Sequence, residues 1–210
     1  MKKNYVITII LACLLFLPNF TSAQLIKVGA GGGITQIMAP DGLTKEVSEG
    51  GLGYSTEWNV GLIGKVDLSM LPITPKVFIM YHLLSGSGEL DPIYYGEPNV
   101  DYSQTILEIG AGLQYNFIPL PAGFDPYIAL DLGYTSIGKL SANDSEDIPF
   151  NEVESRFGAG MGVGTEVTII PLINLDLYLS YKMFNLTGKD DGEETVSAVT
   201  LDAFILFNFL

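Results

Sequence analysis

The chain has 210 residues, of which 48% are apolar and 16% are charged, and its 24 acidic residues outnumber its 10 Lys and Arg residues to give a formal net charge of -14. This apolar composition excludes a disordered chain. One His and one Cys are too few for a zinc site of nitrogen and sulfur ligands, and the acidic balance argues against nucleic acid as a partner, because phosphate binding needs a basic surface.

An export signal is the first element that the sequence predicts. Two lysines precede an apolar stretch over residues 5–17, and a small-residue site ends at Ala23. This pattern is typical of a secretory signal peptide, here residues 1–23, because the stretch is too short to cross about 30 Å of hydrocarbon as a helix. A lipoprotein signal at Cys13 is the weaker alternative. Residues 24–210 then form one domain that contains no cysteine and no disulfide bond.

Strands, rather than helices, account for the apolar character of this domain. None of its segments is apolar enough for a transmembrane helix, which needs about 20 residues. Between Leu107 and Phe117, apolar side chains alternate with polar residues or glycine, as in a strand with one apolar face. The same alternation predicts eight strands, at 25–36, 57–67, 76–84, 105–117, 126–136, 155–168, 175–185 and 197–209.

Short and long connections alternate between these strands. Short turns around Pro72, Pro119 and Pro171 exchange with longer acidic or glycine-rich loops. The longer loops lie near 38–56, 85–104, 137–154 and 186–196. This arrangement predicts an all-β fold, an eight-stranded antiparallel up-and-down transmembrane β-barrel.

Charge separates the two faces of the predicted strands. The apolar face carries no charged residue, which fits contact with lipid. The opposite face carries Asp67 and nine residues that we expect to form a lumen charge network: Lys27, Lys65, Glu108, Asp131, Arg156, Glu166, Asp176, Lys182 and Asp202. A soluble ligand-binding barrel would show the reverse polarity, with apolar residues inside. Most strand glycines share the inward face, where a narrow barrel has little room.

Aromatic residues cluster where the strands leave the apolar band, and we expect two interfacial girdles. The loop-end girdle would contain Tyr54, Trp58, Tyr81, Tyr102, Tyr134 and Phe157, and the turn-end girdle Tyr115, Phe117, Tyr127, Phe207 and Phe209.

The export signal, the eight alternating strands and the final stretch LDAFILFNFL together resemble the small eight-stranded outer-membrane barrel family. This family includes outer membrane protein X and the transmembrane barrel of outer membrane protein A. The resemblance implies an integral protein of the outer membrane of a Gram-negative cell envelope, with lipid, lipopolysaccharide and the barrel-assembly machinery as partners. One departure concerns the assembly signal, because the family usually ends on an aromatic residue and here Leu210 follows Phe209.

Catalytic and cofactor sites are not indicated. His82 is the only histidine, and Ser85 falls on the opposite face of the same strand, unlike the surface His and Ser of outer-membrane lipid A deacylases. Glu108 and Asp131 lie on neighbouring strands and could act as an acid/base pair, but internal salt bridges are the favoured interpretation. We therefore expect no enzyme activity, no cofactor and no metal site.

The predicted function is a structural or surface-interaction role in the outer membrane, with a charged, plugged lumen and acidic extracellular loops. A narrow passive, porin-like channel is the main alternative, and a soluble periplasmic ligand-binding barrel is a weaker one. The acidic loops could bridge to lipopolysaccharide through divalent cations or capture a basic surface partner.

Overall fold

The computed structural model describes residues 25–68, 71–89, 99–117, 123–142 and 153–209. The signal peptide expected at 1–23 lies outside these residues. Among the described residues, no helix has the length and apolar character needed to cross a membrane.

Eight long strands form the molecule. They are β1 (Leu25–Ala39), β2 (Thr56–Asp67), β3 (Ile73–Glu89), β4 (Asn99–Asn116), β5 (Phe124–Ile137), β6 (Glu154–Ile170), β7 (Ile173–Thr187) and β8 (Ser197–Phe209). Each strand pairs antiparallel with the next along the chain, and β1 pairs with β8, from Ile26 opposite Phe209 to Ala39 opposite Ser197. The predicted closed, eight-stranded up-and-down barrel is therefore confirmed.

The connections differ in length at the two ends of the barrel. The short turns β2–β3, β4–β5 and β6–β7 lie at one end, called here the turn end, together with Leu25 and Phe209. The longer connections lie at the other, called here the loop end. The β1–β2 loop contains a short helix α1 (Asp41–Thr44) and a 3-10 turn (Val47–Glu49). Beyond β5, the two residues Ser141–Ala142 continue the pairing with β4.

The β3–β4 hairpin extends further beyond the barrel wall than the sequence predicted. We expected a loop over 85–104, but the backbone ladder continues until Glu89 lies opposite Asn99. Residues 85–88 alternate serine and glycine. They contain no apolar side chain, so the alternation of apolar and polar residues that predicts a strand is absent from this extension. Glycine is required here because a Cβ atom at Gly86 would collide with the Leu52 backbone and one at Gly88 with the Val47 side chain. The β1–β2 loop therefore packs closely against the hairpin.

The predicted inward and outward faces are confirmed. On the outward face, Leu132 is 71% exposed and Val77 is 60% exposed. On the inward face, Lys65 is 1% exposed and His82 is fully buried. The inward glycines make room for large side chains, since a Cβ atom at Gly164 would collide with the Tyr127 ring.

Three residues assigned to the aromatic girdles point inward instead. Tyr54 and Tyr127 are buried in the interior, and Tyr102 packs against an interior apolar cluster. Tyr102 and Tyr127 share the parity of inward positions, and Tyr54 lies before β2 begins, so their proximity to the strand ends was a misleading signal. The other eight are on the outward side: Trp58, Tyr81, Tyr134 and Phe157 near the loop end, and Tyr115, Phe117, Phe207 and Phe209 near the turn end.

Candidate functional site

A cluster of charged side chains fills the turn-end half of the lumen. Lys27 Nζ lies 2.5 Å from Glu166 Oε2 and 2.7 Å from Asp67 Oδ2. Lys65 Nζ lies 2.8 Å from Glu166 Oε1 and 2.7 Å from Asp176 Oδ2. These five residues, called here the turn-end charge cluster, come from strands β1, β2, β6 and β7. Glu166 is the centre of the cluster because it binds both lysines.

Polar side chains from other strands complete the contacts of this cluster. Lys65 Nζ donates a hydrogen bond to Gln114 Oε1 at 2.9 Å, and Tyr127 Oη donates one to Asp176 Oδ1 at 2.7 Å. The Lys65 ammonium also lies 4.8 Å from the centre of the Tyr127 ring. The buried charges are thus paired and hydrogen-bonded, which is the condition for keeping them in a barrel interior.

Two separate ion pairs lie nearer the middle of the lumen. Lys76 Nζ donates to Asp131 Oδ2 at 3.1 Å, and Tyr178 Oη donates to the same oxygen at 2.9 Å. Lys182 Nζ lies 2.6 Å from Glu108 Oε2. Glu108 and Asp131 therefore each bind their own lysine. Lys76 was not among the predicted lumen residues. Its position was a usable signal, because it directly precedes Val77, which faces outward, and neighbouring residues of a strand face opposite sides.

The only histidine belongs to a polar layer above these pairs. His82 Nδ1 lies 2.8 Å from Thr35 Oγ1 and hydrogen-bonds to it, and His82 Nε2 lies 3.8 Å from Glu108 Oε2. Asp202 accepts hydrogen bonds from Asn59 Nδ2 and Thr200 Oγ1, both at 2.9 Å. Ser85, by contrast, is exposed and donates to Glu57. The histidine and this serine are not brought together.

Apolar side chains fill the loop end of the lumen. We call this group the apolar cap, and its six buried members are Ile37, Tyr54, Leu84, Ile106, Phe184 and Ala198. Partly buried residues pack against it, among them Leu43 and Leu52 of the β1–β2 loop, Leu140 and Val196. The cap therefore joins barrel strands to three of the loop-end connections. The cap was not among the predicted features, although Ile37, Leu84 and Ile106 are apolar residues at inward positions.

Arg156 lies apart from the other predicted network residues. Its Nη2 atom lies 2.8 Å from Glu154, 2.9 Å from Asp190 and 2.7 Å from Glu193, at the rim of the loop end. Arg156 therefore ties the β7–β8 loop to β6 instead of pairing within the lumen. These three carboxylates could together hold a metal ion, but the guanidinium group already lies among them.

This rim contact changes the acidity of Glu193. Partial burial alone would raise the pKa of Glu193, but hydrogen bonds from Arg156, Asn185 and the backbone of Asp190 outweigh it and hold the pKa at about 2. Asn185 Nδ2 donates to Glu193 Oε1 at 2.6 Å. Glu193 is thus the residue on which the rim contacts converge.

Comparisons with known proteins agree with this architecture. A family model described as the outer membrane protein beta-barrel domain matches residues 7–203. Neisserial surface protein A has a similar structure, with a TM-score of 0.58 and 16% identity, covering 90% of this chain and 98% of that one. Ail, the attachment invasion locus protein of Yersinia pestis, has a TM-score of 0.50 and 14% identity, covering 90% of this chain and 100% of that one. No curated protein matches significantly. At these identities, the structural likeness concerns the fold alone.

Proposed function

This chain belongs to the outer membrane protein beta-barrel domain family, and from this premise we propose that it has a structural or surface-interaction role, with a lumen closed to solutes. The protein is an outer-membrane β-barrel protein, and its outward face carries no charge between the two sets of outward aromatic residues, which suits contact with lipid. The closed lumen, the acidic loops and the absence of catalysis are the parts that we propose.

The apolar cap is the observation that best supports a closed lumen. Phe184 and Ile106 are each 1% exposed, so the loop end of the barrel leaves them almost no contact with solvent. Below the cap, Glu166 and its two lysines occupy the space between strands on opposite sides of the barrel. An eight-stranded barrel has an interior just wide enough for its own side chains. These features support a barrel that does not conduct ions.

Single-channel recording in planar bilayers tests this proposal. We expect purified, folded wild-type protein to show no steady openings. The folded state would first be verified by a shift in gel mobility between unheated and boiled samples of the outer-membrane fraction. Recovery as a soluble periplasmic protein with no such shift would contradict the membrane location and favour a soluble ligand-binding barrel.

A narrow passive channel is the second candidate, and the shared position of Lys65 favours it. Lys65 binds both Glu166 and Asp176, so it could alternate between two carboxylates as an ion passes. Under this hypothesis, wild-type openings would be steady, and Lys65→Met would abolish or alter them. Arg156→Ala is the matched control, since this cation lies at the rim and outside the lumen.

The placement of His82 supports a role without catalysis. The imidazole is fully buried, next to Thr35 and the edge of the Phe184 ring, so a lipid at the outer surface cannot reach it. Assays of purified protein for deacylation of lipid A should show no product above a His82→Gln control. Product formed only by the wild type would contradict this part of the proposal.

The proposed partners follow from the two surfaces. Lipid and lipopolysaccharide would contact the outward face, the barrel-assembly machinery would insert the protein, and a basic surface partner or divalent cations would meet the acidic loops. Asp190, Asp191, Glu193 and Glu194 concentrate such charge in the β7–β8 loop, where Lys189 is the only basic residue. Nucleic acid is not among the proposed partners, because its phosphates would be repelled by this charge.

A further inference from the structure

A polar cavity of about 590 Å³ opens on the outer side of the barrel at its loop end. We call it the seam notch, and the side chains that define it are Ser55, Glu57, Ser85, Ser87, Asp101 and Ser103. Two glycines and Tyr102 complete its lining. Ser85, Ser87, Asp101 and Ser103 are exposed on the outward faces of β3 and β4, and Tyr102 lies between the notch and the apolar cap.

The notch exists because strands β2 and β3 separate. Their ladder ends where Asn59 lies opposite His82, and they meet again only at the isolated bridge between Tyr54 and Gly86. Between these two points, β2 continues to pair with β1, and β3 continues to pair with β4. The two strand edges that face each other in this interval are therefore left out of the ladder. Such edges present backbone donors and acceptors that a polar ligand can use.

Aromatic residues set the height of the notch relative to the membrane. Trp58 and Tyr81 are exposed on the outward face, where they mark the interface between hydrocarbon and headgroups. Ser85 and Ser87 lie four and six residues beyond Tyr81, on the same face of β3. At about 3.3 Å per residue and the usual strand tilt of about 40°, this is roughly 10–15 Å above the girdle. Glu57 is the residue next to Trp58, so the notch begins at the girdle and extends from there into the sugar layer, above the acyl chains of the outer leaflet.

The lining indicates the class of ligand. Four serine hydroxyls donate and accept hydrogen bonds, and two carboxylates accept them, with Ser85 Oγ donating to Glu57 Oε1 at 2.8 Å. None of the nine lining residues is basic, so phosphate and sulfate groups would meet only hydroxyls and negative charge. Uncharged sugars, which are dense in hydroxyl groups, match this lining, and the cavity volume is in the range of small-molecule sites.

We propose that the seam notch binds uncharged sugar units of outer-leaflet lipopolysaccharide. This inference rests on the proposed surface-interaction role and gives that role a site and a ligand class. A basic peptide is the competing occupant for two carboxylates, but Ser85, Ser87, Asp101 and Ser103 lie on the outward faces of β3 and β4, which meet the surrounding leaflet. The sugar is therefore the occupant within reach.

Trp58 provides the measurement, because it is the only tryptophan in the chain and lies on the strand that borders the notch. Folded protein in a sugar-free detergent would be titrated with deacylated, dephosphorylated core oligosaccharide from rough lipopolysaccharide. We expect a saturable change in Trp58 emission. The double variant Glu57→Gln, Asp101→Asn should weaken binding by about tenfold, since charged hydrogen-bond acceptors become neutral.

Two further variants separate a site from general effects of charge or folding. Asp191→Asn with Glu194→Gln removes two exposed carboxylates from the β7–β8 loop and should leave the affinity unchanged. Ser103→Phe fills the notch without changing charge and should abolish binding. All variants would be tested for the heat-dependent gel shift, so that only folded protein is compared.

Several results would overturn the proposal. These are no saturable change in the wild type, equal weakening by the β7–β8 loop control, or unchanged binding in Ser103→Phe. Tighter binding of polylysine or of calcium alone would assign the notch to a basic partner or a cation, and equal binding of a maltooligosaccharide would remove the lipopolysaccharide assignment. The conductance recordings are independent of all these results. A conducting barrel would contradict the closed lumen, but it would not test whether the notch binds sugar.

Discussion

The two halves of the lumen are closed by different kinds of contact. At the turn end, Lys27 and Lys65 share Glu166, a carboxylate that each binds within 2.8 Å. At the loop end, Ile106 and Phe184 pack in an apolar cluster to which many neighbours contribute. Ionic contacts require particular partners at particular atoms, whereas apolar contacts are non-directional. The two halves should therefore respond very differently to substitution.

The largest effect is expected from the centre of the turn-end charge cluster. Glu166→Leu would leave two buried lysines short of a carboxylate and should lower the free energy of unfolding by about 3–5 kcal/mol. Urea unfolding in detergent micelles measures this loss. The control is Asp67→Asn, which removes the partly exposed second partner of Lys27 and should cost less than about 1 kcal/mol. Equal losses in the two variants would contradict the central role of Glu166.

A single ion pair allows a second test. Glu108→Leu should cost about 3 kcal/mol, because the Lys182 ammonium loses the carboxylate 2.6 Å away. Replacing both partners, as Glu108→Leu with Lys182→Met, should recover most of that loss, since no buried charge is left alone. The same unfolding measurement compares the two. A double variant no more stable than the single one would show that the cost comes from shape and not from charge.

The apolar cap should tolerate a small change well. Ile106→Val removes one buried methyl group and should cost about 1 kcal/mol. Glu108→Gln, two residues further along the same face of β4, is nearly isosteric with the wild-type side chain and should cost more in the same urea unfolding experiment. If the valine variant proved the less stable of the two, the contrast between the halves of the lumen would fail.

The rim contacts of Arg156 should affect one loop only. Arg156→Met removes the cation that binds Glu154, Asp190 and Glu193, so the β7–β8 loop should open more often. Trypsin cleavage after Lys189 should then accelerate by roughly fivefold, while the barrel stays folded. Unchanged cleavage would mean that other contacts hold the loop.

The same rim has a predicted dependence on pH. The pKa of Glu193 is lowered to about 2, so its contribution to stability is present above the ordinary glutamate value near 4.5 and is lost as the pH falls through about 2. Carboxyl NMR of Glu193 should show this low midpoint, and Arg156→Met should move it upward. A midpoint that did not move would contradict the role of the guanidinium group.

Much of the barrel could be predicted from the sequence, because a period of two records which side of each strand faces lipid. Lys65 and Glu166 were assigned inward by that period alone. It could not identify their partners, since pairing across a lumen depends on shear and side-chain length. Tyr127 shows a related limit: its parity placed it inside, but its place near a strand end suggested a girdle. The seam notch was missed because the sequence does not show where β2 and β3 separate.

The ion pairs of the lumen also constrain how the barrel is assembled. Lys27 and Glu166 are 139 residues apart, and Lys65 and Glu166 are 101 residues apart. Neither pair can form while the sheet is open, because β1 and β2 meet β6 only across a closed interior. A half-built sheet in the bilayer would therefore hold these charges unpaired, at a cost of several kcal/mol for each ion. Closure and charge neutralisation should consequently occur in one cooperative step, which makes partly inserted intermediates short-lived.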